Sequence, residues 1–420
     1  MKDPLSLHAV TRPDATALIT EDKQYSYKEL HKIVCKTTDK LRLLNVSKIA
    51  FRTTNPLDTI IIIWACLRAR IMFMPLNPSF PDDYIQTFLQ DANIQYTTEI
   101  SSLITLTELN TTQNNEELSE EQLCSIICTS GSSGRPKLAV HSLGNHIASA
   151  KSSQKNIPLT PGDIWLLNLP LFHVSGLSIV FRCILAGASI SLSPTKPYTH
   201  SSLVPTQLLK RIEEKDTLFI NSKYCLVGGA AFPENVILPT SPHIFPTYGL
   251  TEMSSQVITN NTLLSSANIY IDPETNILWV KGDSLFQGYL NNGLSTLPLN
   301  QDGYFNTKDL VTFDTDRFNY IGRQDRMIIS GGENIQPEEI EALLMQHPNV
   351  TRAAVVGIPD NKFGERPVAF IECQNFTSVK KEVSKLLDEL PKFKRPDVIK
   401  ELPNIAKNTK IKFKNLCTYV

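Results

Sequence analysis

SIICTSGSSGRPKLAVHS, residues 125–142, is the stretch on which the fold turns. Its apolar start reads as a β-strand; small and hydroxylated residues follow, then Arg-Pro-Lys, then a helical stretch. In such a loop successive backbone N–H groups converge, and the hydroxyls of Thr129, Ser130, Ser132 and Ser133 add donors. The segment is therefore expected to hold a polyphosphate. It departs from the P-loop pattern, because Gly131 and Gly134 are too close together and no hydroxyl residue follows Lys137. The strand before it and the Arg-Pro-Lys after it separate it from an ordinary Ser/Gly linker.

Around this loop, short β-branched runs alternate with helical patterns. Residues 47–52, 164–169, 189–192 and 224–227 read as strands, and 27–44, 57–70, 84–91 and 206–214 as helices. Strand and helix in alternation predict an α/β domain with a largely parallel sheet. Residues 110–121 are polar and read as a surface loop. From 276 the texture shifts to short strands at 277–282, 303–305, 310–313 and 318–322, a small β subdomain. Beyond 322 a helix at 337–345, strands at 353–358 and 368–373, and a helix at 379–390 predict a separate small α+β domain. The expected division is 1–322 for a large domain with mixed sheets, 323–326 for a hinge, and 327–420 for a mobile C-terminal domain.

Composition narrows the partners. The chain has 420 residues, 41% of them apolar and 20% charged, which excludes a disordered, collagen-like or coiled-coil chain. With 41 basic and 42 acidic side chains there is no overall field to hold it on nucleic acid or an anionic membrane. The longest uninterrupted apolar run, 60–67, is too short to cross a bilayer, and the start MKDPLSLHAV lacks the apolar core of a signal peptide. Eight cysteines without the dense spacing of a disulfide scaffold point to a reducing, cytoplasmic setting. Cys124 and Cys128 have no second close pair to complete a zinc site.

Three further segments carry chemistry. In PTYGLTE, 246–252, Tyr248 offers a ring for stacking, Thr251 a hydroxyl, and Glu252 a hard oxygen suited to magnesium. GYFNTKDL, 303–310, sets Asp309 at the start of a strand, where its carboxylate can accept two ribose hydroxyls. YIGRQDRMIISGGENIQPEEIE, 320–341, combines Arg323, which can contact a nucleotide, with Asp325, a Gly331–Gly332 pair and a Pro-started helix, and marks a hinge.

Taken in order, TSGSSGRPK, YGLTE, GYFNTKD, GRQD and SGGENIQPEEIE resemble the acyl-adenylate-forming superfamily of acyl-CoA synthetases, firefly luciferases and peptide-synthetase adenylation domains, over nearly the whole chain. The resemblance implies a two-step reaction on ATP, Mg2+ and CoA: a carboxylate attacks the α-phosphate to give an acyl-adenylate, and a thiol then displaces AMP. It implies that Thr129, Ser130, Gly131, Ser132, Ser133, Gly134 and Lys137 embrace the β- and γ-phosphates. Tyr248 would lie on the adenine beside the backbone of Gly229 and Ala230, and Thr251 would approach the α-phosphate. Glu252 would hold magnesium, Asp309 the ribose and Arg323 the ribose-phosphate region, with Asp325 at the hinge and Gly331 and Gly332 lining the pantetheine tunnel. The family's mobile lysine usually stands in a Pro-x5-Lys pattern. Here LPNIAKNTKIKFKNL, 402–416, has one residue more, so Lys410 is assigned and Lys407 is the runner-up.

Within the superfamily, LPLFHVSGLSIVFRCILAGASISL (169–192), SSLVPTQLLKR (201–211) and CLVGGAAFP (225–233) resemble the o-succinylbenzoate-CoA ligases of menaquinone synthesis. That implies formation of 2-succinylbenzoyl-CoA, with His173 at the mouth of the acyl pocket and Ser175 and Gly176 shaping its floor. Ser202, Thr206 and Gln207 would supply polar wall, and Lys210 stands where that group commonly has an arginine for the second carboxylate. An ammonium cannot form a two-pronged bond there. A ligase for another acid, or a non-catalytic homologue, remain the alternatives. The expected partners are a small carboxylic acid, ATP and CoA, with no nucleic acid or membrane insertion, and a homo-oligomer stays open.

Overall fold

The computed structural model describes residues 1–94, 97–98, 104, 117–129, 137–230, 232, 236–314, 317–403 and 413–419. They form two compact units, one drawn from 1–129, 137–268 and 280–303, the other from 269–279 and 304–419.

The first unit is built on two sheets. One has seven strands in the order Leu294–Thr296, Gly288–Asn291, Lys137–Ser142, Leu123–Thr129, Met72–Leu76, Lys48–Arg52 and Thr97–Thr98. The other has nine, with Ile164–Leu166, His200–Leu203, Tyr224–Gly228 and His243–Leu250 parallel at its centre and antiparallel strands at its edges. The sheets are thus mixed, as the α/β reading with mixed sheets requires.

The helix Pro56–Ala69 shows why the fold closes. Asn55 caps it and Pro56 starts it, and residues 59–68 are buried on every side, so the run IIIIWACL belongs to a core helix rather than a membrane span. Arg68 is carried inside with it; Nε donates to Asp3 Oδ2 at 2.8 Å and Trp64 Nε1 to Asp3 Oδ1 at 2.9 Å. Tyr27–Leu43 is held at its start by a capping box between Ser26 and Glu29. Among the described residues no helix is long and apolar enough to cross a membrane.

Two local readings change. The helical stretch expected directly after the Ser/Gly loop is a strand, Lys137–Ser142, and the helix Leu143–Asn156 begins only beyond it. A short apolar run fits a buried strand as well as a helix. Here pairing on both sides, with Leu123–Thr129 and with Gly288–Asn291, decides for the strand. The two short strands expected at 303–305 and 310–313 are one strand, Phe305–Asp314, interrupted by Lys308 at φ 62°. Asn306 Oδ1 accepts the Lys308 amide at 2.8 Å and Thr307 Oγ1 the Asp309 amide at 3.0 Å, so the turn-forming residues kink the strand without ending it.

Asn268–Ile271, Ile277–Lys281, Phe305–Asp314 and Arg317–Arg323 form a four-stranded sheet over the residues expected for the β subdomain; of these, 269–279 and 304–323 group with the second unit, whereas the sequence reading counted them in 1–322. A further sheet runs Glu333–Ile335, Ile328–Ser330, Gly364–Cys373, Val350–Asp360, with Val398–Glu401 parallel to Gly364–Cys373. The helices Pro337–Leu344 and Phe376–Leu386 cover it through Ile340, Leu344, Val379 and Val383, which pack on Val355, Ala369 and Ile371.

Candidate active site

The Ser/Gly segment joins two strands whose ends face each other. Thr129 and Lys137 are partners in the antiparallel ladder, and Thr129 Oγ1 donates to the Lys137 carbonyl at 3.4 Å. Ser130, Gly131, Ser132, Ser133 and Gly134 lie outside the described residues. The Lys137 ammonium sits over the Tyr289 ring, 4.6 Å from its centroid, and the Tyr289 hydroxyl donates to Glu252 Oε1 at 2.5 Å. Glu252 belongs to a 3-10 turn, Thr251–Met253, which the strand His243–Leu250 runs into, and its carbonyl accepts from the Phe286 amide at 2.8 Å. His141, on the return strand, faces the Thr251 carbonyl through Nε2 at 2.7 Å. A carbonyl only accepts, so Nε2 carries the proton. Burial pushes this imidazole down to about 4 and keeps it neutral at physiological pH.

Tyr248 and the Gly229–Ala230 turn come together because their strands are neighbours. Gly228 pairs with Thr247, one residue before Tyr248, and a β-carbon on Gly228 would lie 2.6 Å from the Thr247 carbonyl. Gly229 turns the chain at φ 83°, leaving its own backbone and that of Ala230 exposed beside the half-buried tyrosine.

His173, Ser175 and Gly176 open the helix Val174–Ala186. His173 is exposed, with its ring 4.6 Å from that of Phe172. At Gly176 an added β-carbon would stand 2.3 Å from the Pro170 carbonyl, so close packing of the helix on that loop alone demands glycine. Ser175 lends its carbonyl to Ser178 Oγ at 2.8 Å.

The residues expected at the second-carboxylate wall lie on a helix and on the strand before it. Lys210 lies on the outer face of the helix Pro205–Glu213, 71% exposed, with its ammonium 3.7 Å from Glu214. It is a solvated helix residue. Thr206 is exposed, and Gln207 Oε1 accepts the Val204 amide at 3.1 Å, capping the helix. Ser202 is buried and accepts from Trp165 Nε1 at 3.2 Å.

The cation buried in this region is Arg182, 2% exposed, which the sequence reading passed over. It stacks over Trp165 at 5.4 Å and donates through Nη2 to Gln256 Oε1 at 2.7 Å and to Ser255 Oγ at 3.3 Å. No carboxylate pairs with it among the described residues, and its Nε has no partner there. Burial lowers its pKa to about 10. The Gln256 amide in turn donates to Thr247 Oγ1 at 3.2 Å, which places this network behind the YGLTE strand. A lone arginine inside the apolar run SIVFRCIL was the available signal.

In the second unit Arg323 joins two expected site residues. Nη1 donates to Asp309 Oδ1 at 2.9 Å, while Nε and Nη2 grip Asp325 at 2.9 and 3.1 Å. Burial opposes the guanidinium charge, but the Asp325 hydrogen bonds and the Asp309 charge outweigh it and raise the pKa. Gly331 and Gly332, at φ 60° and 86°, turn the hairpin between Ile328–Ser330 and Glu333–Ile335, and that turn needs positive φ at both positions. Lys407 and Lys410 lie outside the described residues.

A lysine on the hairpin strand, a glutamate held by the tyrosine beneath that lysine, and a second tyrosine next to a glycine turn are therefore gathered in the first unit, and the comparisons give the class of enzyme to which such a chain belongs. The chain belongs to the AMP-binding enzyme family, whose profile matches residues 5–290; that of the AMP-binding enzyme C-terminal domain matches 339–412. Along nearly its full length it is similar to 2-succinylbenzoate–CoA ligases. It is 32% identical to that of Escherichia coli, over 96% of this chain and 94% of the relative, and 30% identical to that of Bacillus cereus, over 97% and 96%. Among solved structures, an E. coli MenE variant with bound OSB-AMS superposes with a TM-score of 0.86 at 29% identity, covering 100% of this chain and 98% of that one. The o-succinylbenzoate CoA synthetase of Bacillus subtilis in complex with the acyl-adenylate intermediate OSB-AMP gives 0.87 at 26%, covering 99% and 98%. The same enzyme in complex with ATP and magnesium ion gives 0.84 at 25%, covering 99% of both chains.

Proposed function

We propose that the chain is an AMP-forming acid–thiol ligase that converts 2-succinylbenzoate and CoA into 2-succinylbenzoyl-CoA, in menaquinone synthesis. The observation that carries this reading is the occurrence, within one unit, of the Lys137–Tyr289–Glu252 cluster and a buried guanidinium that no acid among the described residues neutralises. It occurs in a chain similar from end to end to ligases named for this acid.

In the first step a carboxylate oxygen attacks the α-phosphorus, the bond to the bridging oxygen breaks, and pyrophosphate leaves. Lys137 and the loop that starts at Thr129 take the outgoing phosphates, with loop donors at Ser130, Gly131, Ser132, Ser133 and Gly134. Thr251 approaches the α-phosphate, while Tyr248 and the Gly229–Ala230 backbone take the adenine. Asp309 accepts the ribose hydroxyls and Arg323 fixes Asp309. Glu252 suits magnesium, since Tyr289 takes Oε1 and leaves Oε2 as the oxygen a hard cation can use. Bound there, the ion would offset charge on the triphosphate. Lys410, with Lys407 as the alternative, supplies the mobile cation. In the second step the CoA sulfur attacks the acyl carbon and AMP leaves, with Asp325 as hinge and the Gly331–Gly332 turn beside the pantetheine arm.

For the acid, His173 stands at the pocket mouth and Arg182 is the cation for the carboxylate that is not activated, directly or through water. Five of the eight free cysteines are buried, which supports small core residues in a reducing, cytoplasmic compartment. The test is thioester formation by the purified protein with ATP, Mg2+ and CoA. 2-Succinylbenzoate should exceed benzoate and short fatty acids in kcat/KM by orders of magnitude. Preference for one of those monoacids would overturn the substrate.

A further inference from the structure

We propose that Tyr289 is a positioning residue that keeps Lys137 and Glu252 apart and both available, one to phosphate and the other to metal; this rests on the roles given to those two residues above. The strand Gly288–Asn291 lies against the return strand of the hairpin, with Tyr289 opposite Ala139. Side chains alternate along a strand, so Lys137, two residues from Ala139, shares the face of Tyr289 and is its diagonal neighbour. That is why the ammonium reaches the ring at 4.6 Å.

The other side of the same tyrosine holds Glu252. The phenol proton goes to Oε1, while the Phe286 amide, three residues earlier, holds the Glu252 carbonyl, and the Phe286 ring meets the Tyr289 ring edge-on at 4.8 Å. One short segment therefore fixes both the backbone and the carboxylate of the metal residue.

A lysine and a glutamate flanking one polyphosphate would readily pair with each other, and a paired carboxylate and ammonium are both poorer ligands. Among the described residues neither forms a salt bridge. The tyrosine meets the cation with its ring face and the anion with its hydroxyl, satisfying each with a neutral partner. Charge separation is thus kept until the nucleotide and its metal arrive.

Two variants test this. In Tyr289→Phe the ring stays under Lys137 and only the hydroxyl is lost. The Mg2+ concentration for half-maximal pyrophosphate release should rise about tenfold, with kcat at saturating Mg2+ within about twofold of wild type. In Tyr289→Leu both contacts go, so KM for ATP should also rise about tenfold, and the further variant Lys137→Ala should add little to it. Titration of MgATP into each protein without any acid reads the same effects independently of the substrate assignment. Should 2-succinylbenzoate prove not to be the acid, this titration still decides on Tyr289. An unchanged Mg2+ requirement in Tyr289→Phe at wild-type thermal stability would overturn the proposal, and so would a fall in kcat that saturating Mg2+ does not restore.

Discussion

Arg323 Nη1 lies 2.9 Å from Asp309 Oδ1, while the remainder of the guanidinium grips Asp325. The carboxylate assigned to the ribose and the residue assigned to the hinge thus share one cation. Asp309 is 6% exposed, so without that cation its charge would be poorly solvated and free to turn away from a sugar. Arg323→Gln is expected to raise KM for ATP by roughly tenfold or more, with Arg323→Lys intermediate because it keeps charge but not the fork. Steady-state kinetics at saturating acid measures this; an ATP KM unchanged in Arg323→Gln removes the ribose role of Asp309.

Arg182→Gln separates specificity from stability. The variant removes a buried cation that no described acid neutralises while keeping hydrogen-bonding groups near Gln256, so melting temperature should stay level or rise. KM for 2-succinylbenzoate should rise by about tenfold to a hundredfold, while a benzoate-type monoacid should lose little. Equal losses for diacid and monoacid would mean that Arg182 does not read the second carboxylate.

Lys210→Ala should do nothing measurable to either quantity. The side chain is 71% exposed and its pairing with Glu214 is a surface contact. A selective rise in KM for 2-succinylbenzoate would restore Lys210 to the acyl pocket.

Acid should destabilise the first unit through two histidines. His141 and His146 are fully buried with rings 5.0 Å apart, and His146 stacks on Phe181 and meets Ser125 Oγ at 2.8 Å. Burial lowers both pKa values, that of His141 to about 4 against 6.5 for a free imidazole. The unfolded chain therefore takes up protons first. Stability is fully present above pH 6.5 and falls as the pH drops towards 4, by about 3 kcal/mol for His141 alone. Denaturant melts across that window should show the loss, and His141→Asn should flatten it. A flat profile in the native protein would mean that these imidazoles are not held neutral.

How far the sequence alone could lead depends on the range of each interaction. The Ser/Gly loop behind a strand, the YGLTE segment and the Gly331–Gly332 pair stood out in the sequence because their chemistry is local: small residues, a hydroxyl, a carboxylate. Tyr289 was not, since a tyrosine in a short strand reads as an ordinary β-former. Only the register with Ala139 and the approach of Glu252 give it a task. Arg182 was half legible, as a charge inside an apolar helix, but that no acid among the described residues pairs with it appears only after packing. Lys210 is the opposite case. Position after VPTQL suggested a wall residue, yet the helix turns that position towards solvent. At Lys137–Ser142 the apolar run fitted helix and strand alike until neighbouring strands were in place.

The most direct measurement is a single-turnover reaction of enzyme with ATP, Mg2+ and 2-succinylbenzoate in the absence of CoA, followed by mass spectrometry. Stoichiometric 2-succinylbenzoyl-AMP should form with one pyrophosphate released, and should become 2-succinylbenzoyl-CoA and AMP when CoA is added. Absence of that mixed anhydride from protein that binds MgATP normally would contradict the account.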